Sequence, residues 1–114
     1  MNKRILVTGS SRGIGKAIAI ELAKAGFDVT VHARSRQQEA EQVAEEIKSF
    51  GCNSHVLMFD VNDRENILQI LEKDVADHGA FYGVVLNAGL TRDGAFPALT
   101  DEDWDHVVDT SLHG

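Results

Sequence analysis

The sequence predicts an α/β fold in which helices cover both faces of a doubly wound parallel sheet. Short apolar runs alternate with longer amphipathic segments, and the runs lack the polar alternation of strands exposed on one face. A glycine-rich stretch separates the first run from the first amphipathic segment. Because crossovers between parallel strands are right-handed, this element order favours the doubly wound topology. We expect four strands, which form an incomplete sheet, and about four helices.

The four predicted strands are Ile5–Val7, Val29–Val31, Val56–Phe59 and Val84–Leu86. Each is followed by a segment whose apolar residues recur at helical spacing. The predicted stripes are Ile14, Ala17, Ile18, Leu22 and Ala25 in the first helix, Ala40, Val43, Ala44, Ile47 and Phe50 in the second, Ile67, Leu68, Leu71 and Val75 in the third, and Trp104, Val107, Val108 and Leu112 in the fourth.

Glycines and capping patterns mark the predicted helix ends. Gly26, Gly51 and Gly79 stand where a residue in the left-handed conformation ends a helix. The patterns Ser35-x-x-Gln38 and Thr100-x-x-Asp103 are typical of helix N-termini.

Composition limits the class of protein. The single cysteine, Cys52, excludes a disulfide framework and a cysteine-rich zinc site, and fits a cytoplasmic location. No run of 18 apolar residues exists, so we expect no membrane partner. A net charge of -7 argues against a nucleic-acid partner. Residues 1–36 nevertheless carry a net charge of +5, which indicates a small anionic ligand near the N-terminus.

The loop Thr8–Gly15 links the first strand to the first helix. Glycine lets the backbone turn tightly and approach a ligand, and the following helix N-terminus offers free N–H groups and a positive dipole end. This arrangement is typical of a pyrophosphate site. The candidate cofactor-binding residues in the loop are Gly9, Ser10, Ser11, Arg12, Gly13, Ile14 and Gly15.

The spacing within the loop separates three kinds of turn. A mononucleotide P-loop requires Gly-x-x-x-x-Gly-Lys-[Ser/Thr], but Ser10 replaces its first glycine and Ala17 its hydroxyl residue. The common dinucleotide fingerprint is Gly-x-Gly-x-x-Gly, whereas this chain has Gly-x-x-x-Gly-x-Gly. We interpret the loop as a dinucleotide-binding variant with a wider first gap, and a plain βα turn is the alternative.

The end of the second strand indicates which dinucleotide binds. A carboxylate there would favour NAD(H) by accepting hydrogen bonds from the ribose 2′-hydroxyl. This chain has Arg34 and Ser35 after the strand, and the Arg34 guanidinium suits a 2′-phosphate. Arg12 can approach the same group. We therefore predict NADP(H) as the cofactor, with Arg34 and Ser35 among its contacts.

Three motifs together resemble the short-chain dehydrogenase/reductase family across essentially the whole chain. They are Thr8-Gly9-x-x-x-Gly13-Ile14-Gly15, then Asp60-Val61 after the third strand, and Asn87-Ala88-Gly89 after the fourth. The run Gly89-Leu90-Thr91-Arg92-Asp93, with Trp104 later, is similar to the bacterial 3-oxoacyl-[acyl-carrier-protein] reductases within that family.

The resemblance implies a Rossmann fold and a role for each motif. The glycine loop would bind the pyrophosphate, Asp60 and Val61 the adenine, and Asn87, Ala88 and Gly89 the cofactor beside the fourth strand. It also implies reduction of a 3-oxoacyl thioester, carried by acyl carrier protein, to the 3-hydroxy form. Members of the family commonly pack as homo-oligomers, so we expect a homo-oligomer here.

The catalytic Tyr-x-x-x-Lys motif of the family is absent. Leu86 stands four residues after Tyr82, the single tyrosine. Ser111 stands where the family has a catalytic asparagine. We therefore expect residues 1–114 to be the cofactor-binding N-terminal part of a reductase whose catalytic C-terminal part is absent. Alone, this part should bind cofactor without turnover.

Other patterns in the sequence indicate less. The histidines show no metal-ligand spacing, so we expect His32, His55, His78, His106 and His113 at the surface or in turns. The acidic residues at 101–109 are expected on a solvated helix face. Two alternatives remain open: a non-catalytic nucleotide-binding or interaction module, and a methyltransferase, against which Arg34 argues.

Overall fold

The chain folds into a parallel four-stranded sheet with helices on both faces. The computed structural model describes residues 3–60, 62–85, 87, 102–103 and 107–108. The strands are β1 (Arg4–Val7), β2 (Asp28–Ala33), β3 (Ser54–Met58) and β4 (Gly83–Val85), and the helices are α1 (Gly13–Lys24), α2 (Gln37–Lys48) and α3 (Arg64–His78).

The strand order is β3-β2-β1-β4, and every neighbouring pair is parallel. The chain therefore reverses its direction of travel across the sheet between β3 and β4, as in a doubly wound fold. This confirms the predicted fold class. The fourth predicted helix falls largely on residues outside the described part of the chain.

Alternate side chains of β1 supply two separate cores, because successive strand residues point to opposite faces. Ile5 and Val7 pack with buried residues of α1 and α2, whereas Leu6 packs with Ile67 and Leu71 of α3. The sheet is thus covered on both faces. Within the described residues, no helix combines the length and the apolar character that crossing a membrane requires.

The predicted apolar stripe of α1 is confirmed only at Ile18 and Leu22, which pack against the core, and is wrong at its other members. The buried residues are Gly15, Ala19 and Ala23, while Ile14 is 72% exposed. Of the other predicted members, Ile18 and Leu22 are half-buried, and Ala17 and Ala25 are exposed. The face of small residues lets the helix axis approach the sheet closely, which larger side chains at these positions would prevent.

The predicted stripe of α2 is confirmed at Ala40, Val43, Ala44 and Ile47. Phe50 is 42% exposed instead, with the Lys24 ammonium 6.0 Å from its ring centre. It follows the helix, so its side chain no longer shares the buried face.

The Ser35-x-x-Gln38 prediction is also wrong, because α2 starts one residue later than a Ser35 cap requires. Arg36 is the residue before the helix, it has φ 60°, and no side chain caps the helix. Thr100 of the second pattern lies outside the described residues. By contrast, Gly26, Gly51 and Gly79 all have positive φ at the predicted helix ends.

Candidate cofactor-binding site

The glycine loop lies at the carboxyl edge of the sheet, between the end of β1 and the start of α1. Gly9 and Gly13 have φ of 60° and 67°, a region that suits glycine. Arg12 precedes α1 without a side-chain cap, and the first turn of the helix contains no acidic residue. Within that turn its first N–H groups therefore have no carboxylate beside them and keep their affinity for an anion.

The α3 N-terminus provides a contrast within the same chain. There the Asp63 carboxylate accepts a hydrogen bond of 3.2 Å from the Asn66 backbone N–H, and Glu65 lies in the first turn. This helix start carries its own anions. The difference supports the fit of a phosphate at α1, where those anions are missing.

Gly15 sets the distance between α1 and the loop. A Cβ atom at this position would lie 2.2 Å from the Gly9 carbonyl oxygen and 2.6 Å from Asn87 Nδ2. No side chain can be placed there without moving the backbone. Glycine at this position thus holds the helix N-terminus against the end of β1.

Asn87, which the sequence predicts beside the cofactor, follows β4 and contacts the same loop. Its backbone N–H donates to Thr8 Oγ1 at 2.7 Å, and its side-chain Nδ2 donates to the Gly9 carbonyl at 3.3 Å. The Thr8 backbone N–H in turn donates to the Val85 carbonyl at 3.0 Å. The ends of β1 and β4 are therefore tied together at the site.

The predicted surface position of His32 is wrong. Its imidazole, on β2, is 1% exposed and lies beneath the glycine loop. Nδ1 accepts a hydrogen bond of 2.9 Å from the Gly9 N–H, and Nε2 lies 2.8 Å from the Phe59 carbonyl oxygen. The sequence gives no sign of this role, since the three residues are far apart in the chain.

These contacts fix the form of the imidazole. A backbone N–H donates to Nδ1, so Nδ1 has no proton, and the proton resides on Nε2, which donates to Phe59. Burial lowers the pKa of His32, against the opposing effects of the Phe59 hydrogen bond and the Asp60 charge. The ring is therefore neutral at neutral pH.

Ser10, predicted to contact the cofactor, has a buried side chain that stabilises the loop. Its hydroxyl donates to the Val7 carbonyl at 2.7 Å and accepts from the His32 N–H at 3.0 Å. Its own N–H donates to the His32 carbonyl at 2.9 Å. These hydrogen bonds stabilise the turn, and any contact of Ser10 with a ligand would be made from that turn.

Arg34 and Asp60 meet at the ends of neighbouring strands. Arg34 Nε lies 3.4 Å from Asp60 Oδ2, and the two side chains are 75% and 38% exposed. Asp60 Oδ1 also accepts from the Asn62 N–H at 2.9 Å. The structure thus places the predicted phosphate-binding and adenine-binding residues side by side.

The remaining site predictions are divided between exposed residues and residues outside the description. Arg12, Ile14 and Ser35 are exposed, and Ser11 is half-buried. The predicted site residues outside the described part of the chain are Val61, Ala88, Gly89 and Ser111.

Tyr82 lies at the opposite edge of the sheet from the loop. It immediately precedes β4, and its N–H donates to the carbonyl of Arg4 at the start of β1. Its ring lies 6.0 Å from that of Phe27 and under the Lys3 ammonium. Tyr82 therefore cannot deliver a proton at the carboxyl edge.

The structure also shows how residues away from the glycine loop are buried. Cys52 is buried, and burial raises the pKa of its thiol. Asp103 is buried rather than solvated, because the Arg64 guanidinium donates to both of its oxygens at 3.1 and 2.9 Å. His55 lies half-buried on β3, so its expected location was wrong, whereas His78 is exposed at the end of α3.

The chain is similar to known reductases over its whole length. A family model described as short chain dehydrogenase matches residues 3–114. The 3-oxoacyl-[acyl-carrier-protein] reductase FabG of Aggregatibacter actinomycetemcomitans is 63% identical over 114 residues, which are 100% of this chain and 47% of that protein. FabG of Staphylococcus aureus is 40% identical over 100% of this chain and 46% of its own length. The chain spans about half the length of these curated relatives.

Solved structures support the fold. Acetoin dehydrogenase YohF from Salmonella typhimurium matches with a TM-score of 0.72 and 32% identity, covering 80% of this chain and 38% of that one. A short-chain type dehydrogenase/reductase from Mycobacterium marinum matches with a TM-score of 0.70 and 35% identity, covering 77% and 35%.

Proposed function

Because the chain belongs to the short-chain dehydrogenase family, we propose that it is the NADP(H)-binding part of an oxidoreductase that reduces 3-oxoacyl thioesters on acyl carrier protein. The observation that carries the cofactor proposal is the uncapped start of α1, held against the Gly9 loop by the absence of a side chain at Gly15. Identity of 63% to a protein named 3-oxoacyl-[acyl-carrier-protein] reductase supports the substrate class.

In this proposal the pyrophosphate lies over the N–H groups at the start of α1. Those groups, together with the positive end of the helix dipole, neutralise part of its charge. The space beside Gly13 is open, since a Cβ there would meet no described atom within 4 Å, and its φ of 67° disfavours other residues. The exposed Ile14 side chain offers an apolar surface beside the bound dinucleotide.

Arg34 and Arg12 select the phosphorylated dinucleotide. Arg34 is already at the end of β2, where the adenosine ribose lies in this fold. Arg34 forms an exposed ion pair with Asp60, and such pairs contribute only about 0–1 kcal/mol to stability. Exchanging that contact for charge-assisted bonds to a 2′-phosphate is therefore favourable.

When bound, the nicotinamide would supply the hydride in the complete reductase. This chain's residues bind and orient the dinucleotide, but its tyrosine lies at the wrong edge of the sheet to protonate a substrate. We therefore propose that the 114-residue chain binds NADPH and does not turn over substrate by itself. The buried thiol of Cys52 fits a reducing compartment such as the cytoplasm.

A mixing experiment tests this division of roles. The chain alone should bind NADPH and show no NADPH oxidation with an acetoacetyl thioester. Adding the separately expressed C-terminal half of the Aggregatibacter relative should produce oxidation. Turnover by the chain alone would contradict the proposal, and NADPH binding without turnover in the mixture would favour the non-catalytic nucleotide-binding alternative.

A further inference from the structure

Two histidines and an aspartate converge at the end of the sheet opposite the glycine loop. His55 lies near the start of β3, while Asp74 and His78 lie one turn apart near the end of α3. Each offers one ligand atom, and the three atoms lie within 4.8 Å of one another. No spacing in the sequence indicates this group, because the sheet and α3 bring its members together.

Asp74 is the buried centre of the group. Its side chain is 3% exposed, and Oδ1 lies 2.6 Å from His55 Nε2. The rings of His55 and His78 stack with centres 4.4 Å apart and planes inclined by 26°. A buried carboxylate oxygen thus lies against two imidazoles, of which His55 is partly open and His78 exposed.

Arg4 fixes the orientation of this carboxylate. Its Nη1 donates to Asp74 Oδ2 at 2.6 Å and to Thr30 Oγ1 at 3.2 Å. Because Arg4 holds Oδ2, Oδ1 remains directed at the histidines. A fixed hydrogen-bond partner commonly orients a metal ligand in this way.

We propose that His55, Asp74 and His78 bind a divalent transition-metal ion of the zinc class. Two imidazoles and one carboxylate are a ligand set that Zn²⁺ accepts, with a water in the fourth position. The charge of Asp74 is already balanced by Arg4. Imidazole-binding ions are therefore favoured over Ca²⁺ and Mg²⁺, which need several anionic or carbonyl oxygens.

The geometry needs only small movements of side chains. Zinc lies about 2.0–2.2 Å from such nitrogen and oxygen ligands. The ion takes the place of the hydrogen between His55 Nε2 and Asp74 Oδ1, which moves these atoms slightly apart, and the neutral ring then carries its hydrogen on Nδ1. His78, at the exposed end of α3, can rotate to complete the set.

A cavity provides the open coordination position. It has a volume of about 340 Å³, and its lining includes His55, His78, Lys48 and Asn53. Water reaches both histidines from this side. Because the cavity lies at the amino ends of the strands, the metal site is separate from the cofactor site and does not depend on the proposed function.

Titration of the chain with Zn²⁺ by calorimetry, and with Co²⁺ by visible absorption, tests the proposal. We expect one ion per chain and the strong visible bands of tetrahedral Co²⁺. The substitution His78→Gln removes one of the ligands. It should weaken Zn²⁺ binding by at least the roughly 10–100-fold that is lost when only the hydrogen-bond partner of a ligand is removed. His78 makes no hydrogen bond on which the fold depends among those of the described residues, so this variant should remain folded.

Two controls make the result specific. Glu72→Gln removes an exposed carboxylate of α3 outside the group and should leave affinity unchanged. The double variant His106→Gln with His113→Gln removes the histidines outside the described residues and should also leave it unchanged. Absence of binding, or binding that survives His78→Gln and His55→Gln but is lost in the double variant, would overturn the proposal.

Discussion

The His32 imidazole supports the glycine loop from below, because its Nδ1 accepts a 2.9 Å hydrogen bond from the Gly9 backbone N–H. Its other nitrogen contacts the Phe59 carbonyl at 2.8 Å. One side chain of β2 therefore joins the turn after β1 to the chain leaving β3. The loop that we assign to the cofactor inherits its shape from a residue that the cofactor need not touch.

His32→Phe should weaken both the fold and the loop. It leaves the Gly9 N–H without its acceptor and removes the contact of the ring with the Phe59 carbonyl, and an unsatisfied buried N–H costs about 1–3 kcal/mol. Urea unfolding measures the loss of stability, and NADPH titration measures the loss of affinity. His32→Asn retains an acceptor near the Nδ1 position and should lose less of both; equal losses in the two variants would contradict this role.

The same histidine predicts how stability depends on pH. Its pKa is lowered by burial from an ordinary value near 6.5. As pH falls below that value, the unfolded chain binds a proton that the folded chain does not, so stability decreases. The slope approaches about 1.4 kcal/mol per pH unit for one proton. Urea unfolding across this range should show a smaller slope for His32→Asn than for the native chain; an identical slope would refute the assignment.

Gly15→Ala should abolish the close approach of α1 to the loop. The added Cβ would lie 2.2 Å from the Gly9 carbonyl oxygen, so the backbone must shift. We expect a cost of about 1–3 kcal/mol, as for other overpacked sites, and weaker NADPH binding. Gly83→Ala is the matched control, because its Cβ meets Ile5 Cδ1 at an ordinary 3.5 Å. NADPH affinity that is equal in the two variants would count against the site.

Ile14→Ser separates binding from stability. Ile14 is 72% exposed, so its replacement should change the free energy of unfolding little. If its side chain covers the dinucleotide, NADPH affinity should nevertheless decrease. Phe50→Ser, at the other large hydrophobic residue that is exposed among those described, should leave NADPH affinity unchanged. A decrease of NADPH affinity in Phe50→Ser, or none in Ile14→Ser, would exclude this contact.

Local patterns in the sequence predict much of the fold. The four apolar runs coincide with the four strands to within two residues, and Gly26, Gly51 and Gly79 end their helices as expected. These features depend on residues near one another in the chain. The buried face of α1 could not be found in this way, because Ala19 and Ala23 are buried through close approach to the sheet rather than through large apolar side chains.

The candidate site, like the fold, is predictable from local sequence patterns only in part. The glycine loop, Arg34, Asp60 and Asn87 are recognisable from motifs, and the structure brings them to one edge of the sheet. The contacts of His32 with Gly9 and Phe59 join residues more than 20 positions apart. Hydropathy treats such a histidine as polar and therefore places it at the surface.

The most direct test compares NADPH and NADH binding by calorimetry in the native chain and in the double variant Arg12→Ala with Arg34→Asp. We expect the native chain to prefer NADPH by at least about tenfold, since a charge-assisted hydrogen bond contributes about 1.5–3 kcal/mol. The double variant should lose that preference, while Lys24→Gln, which removes a distant positive charge of α1, should keep it. Equal affinity for the two dinucleotides in the native chain, or a preference for NADPH that survives in the double variant, would contradict the account.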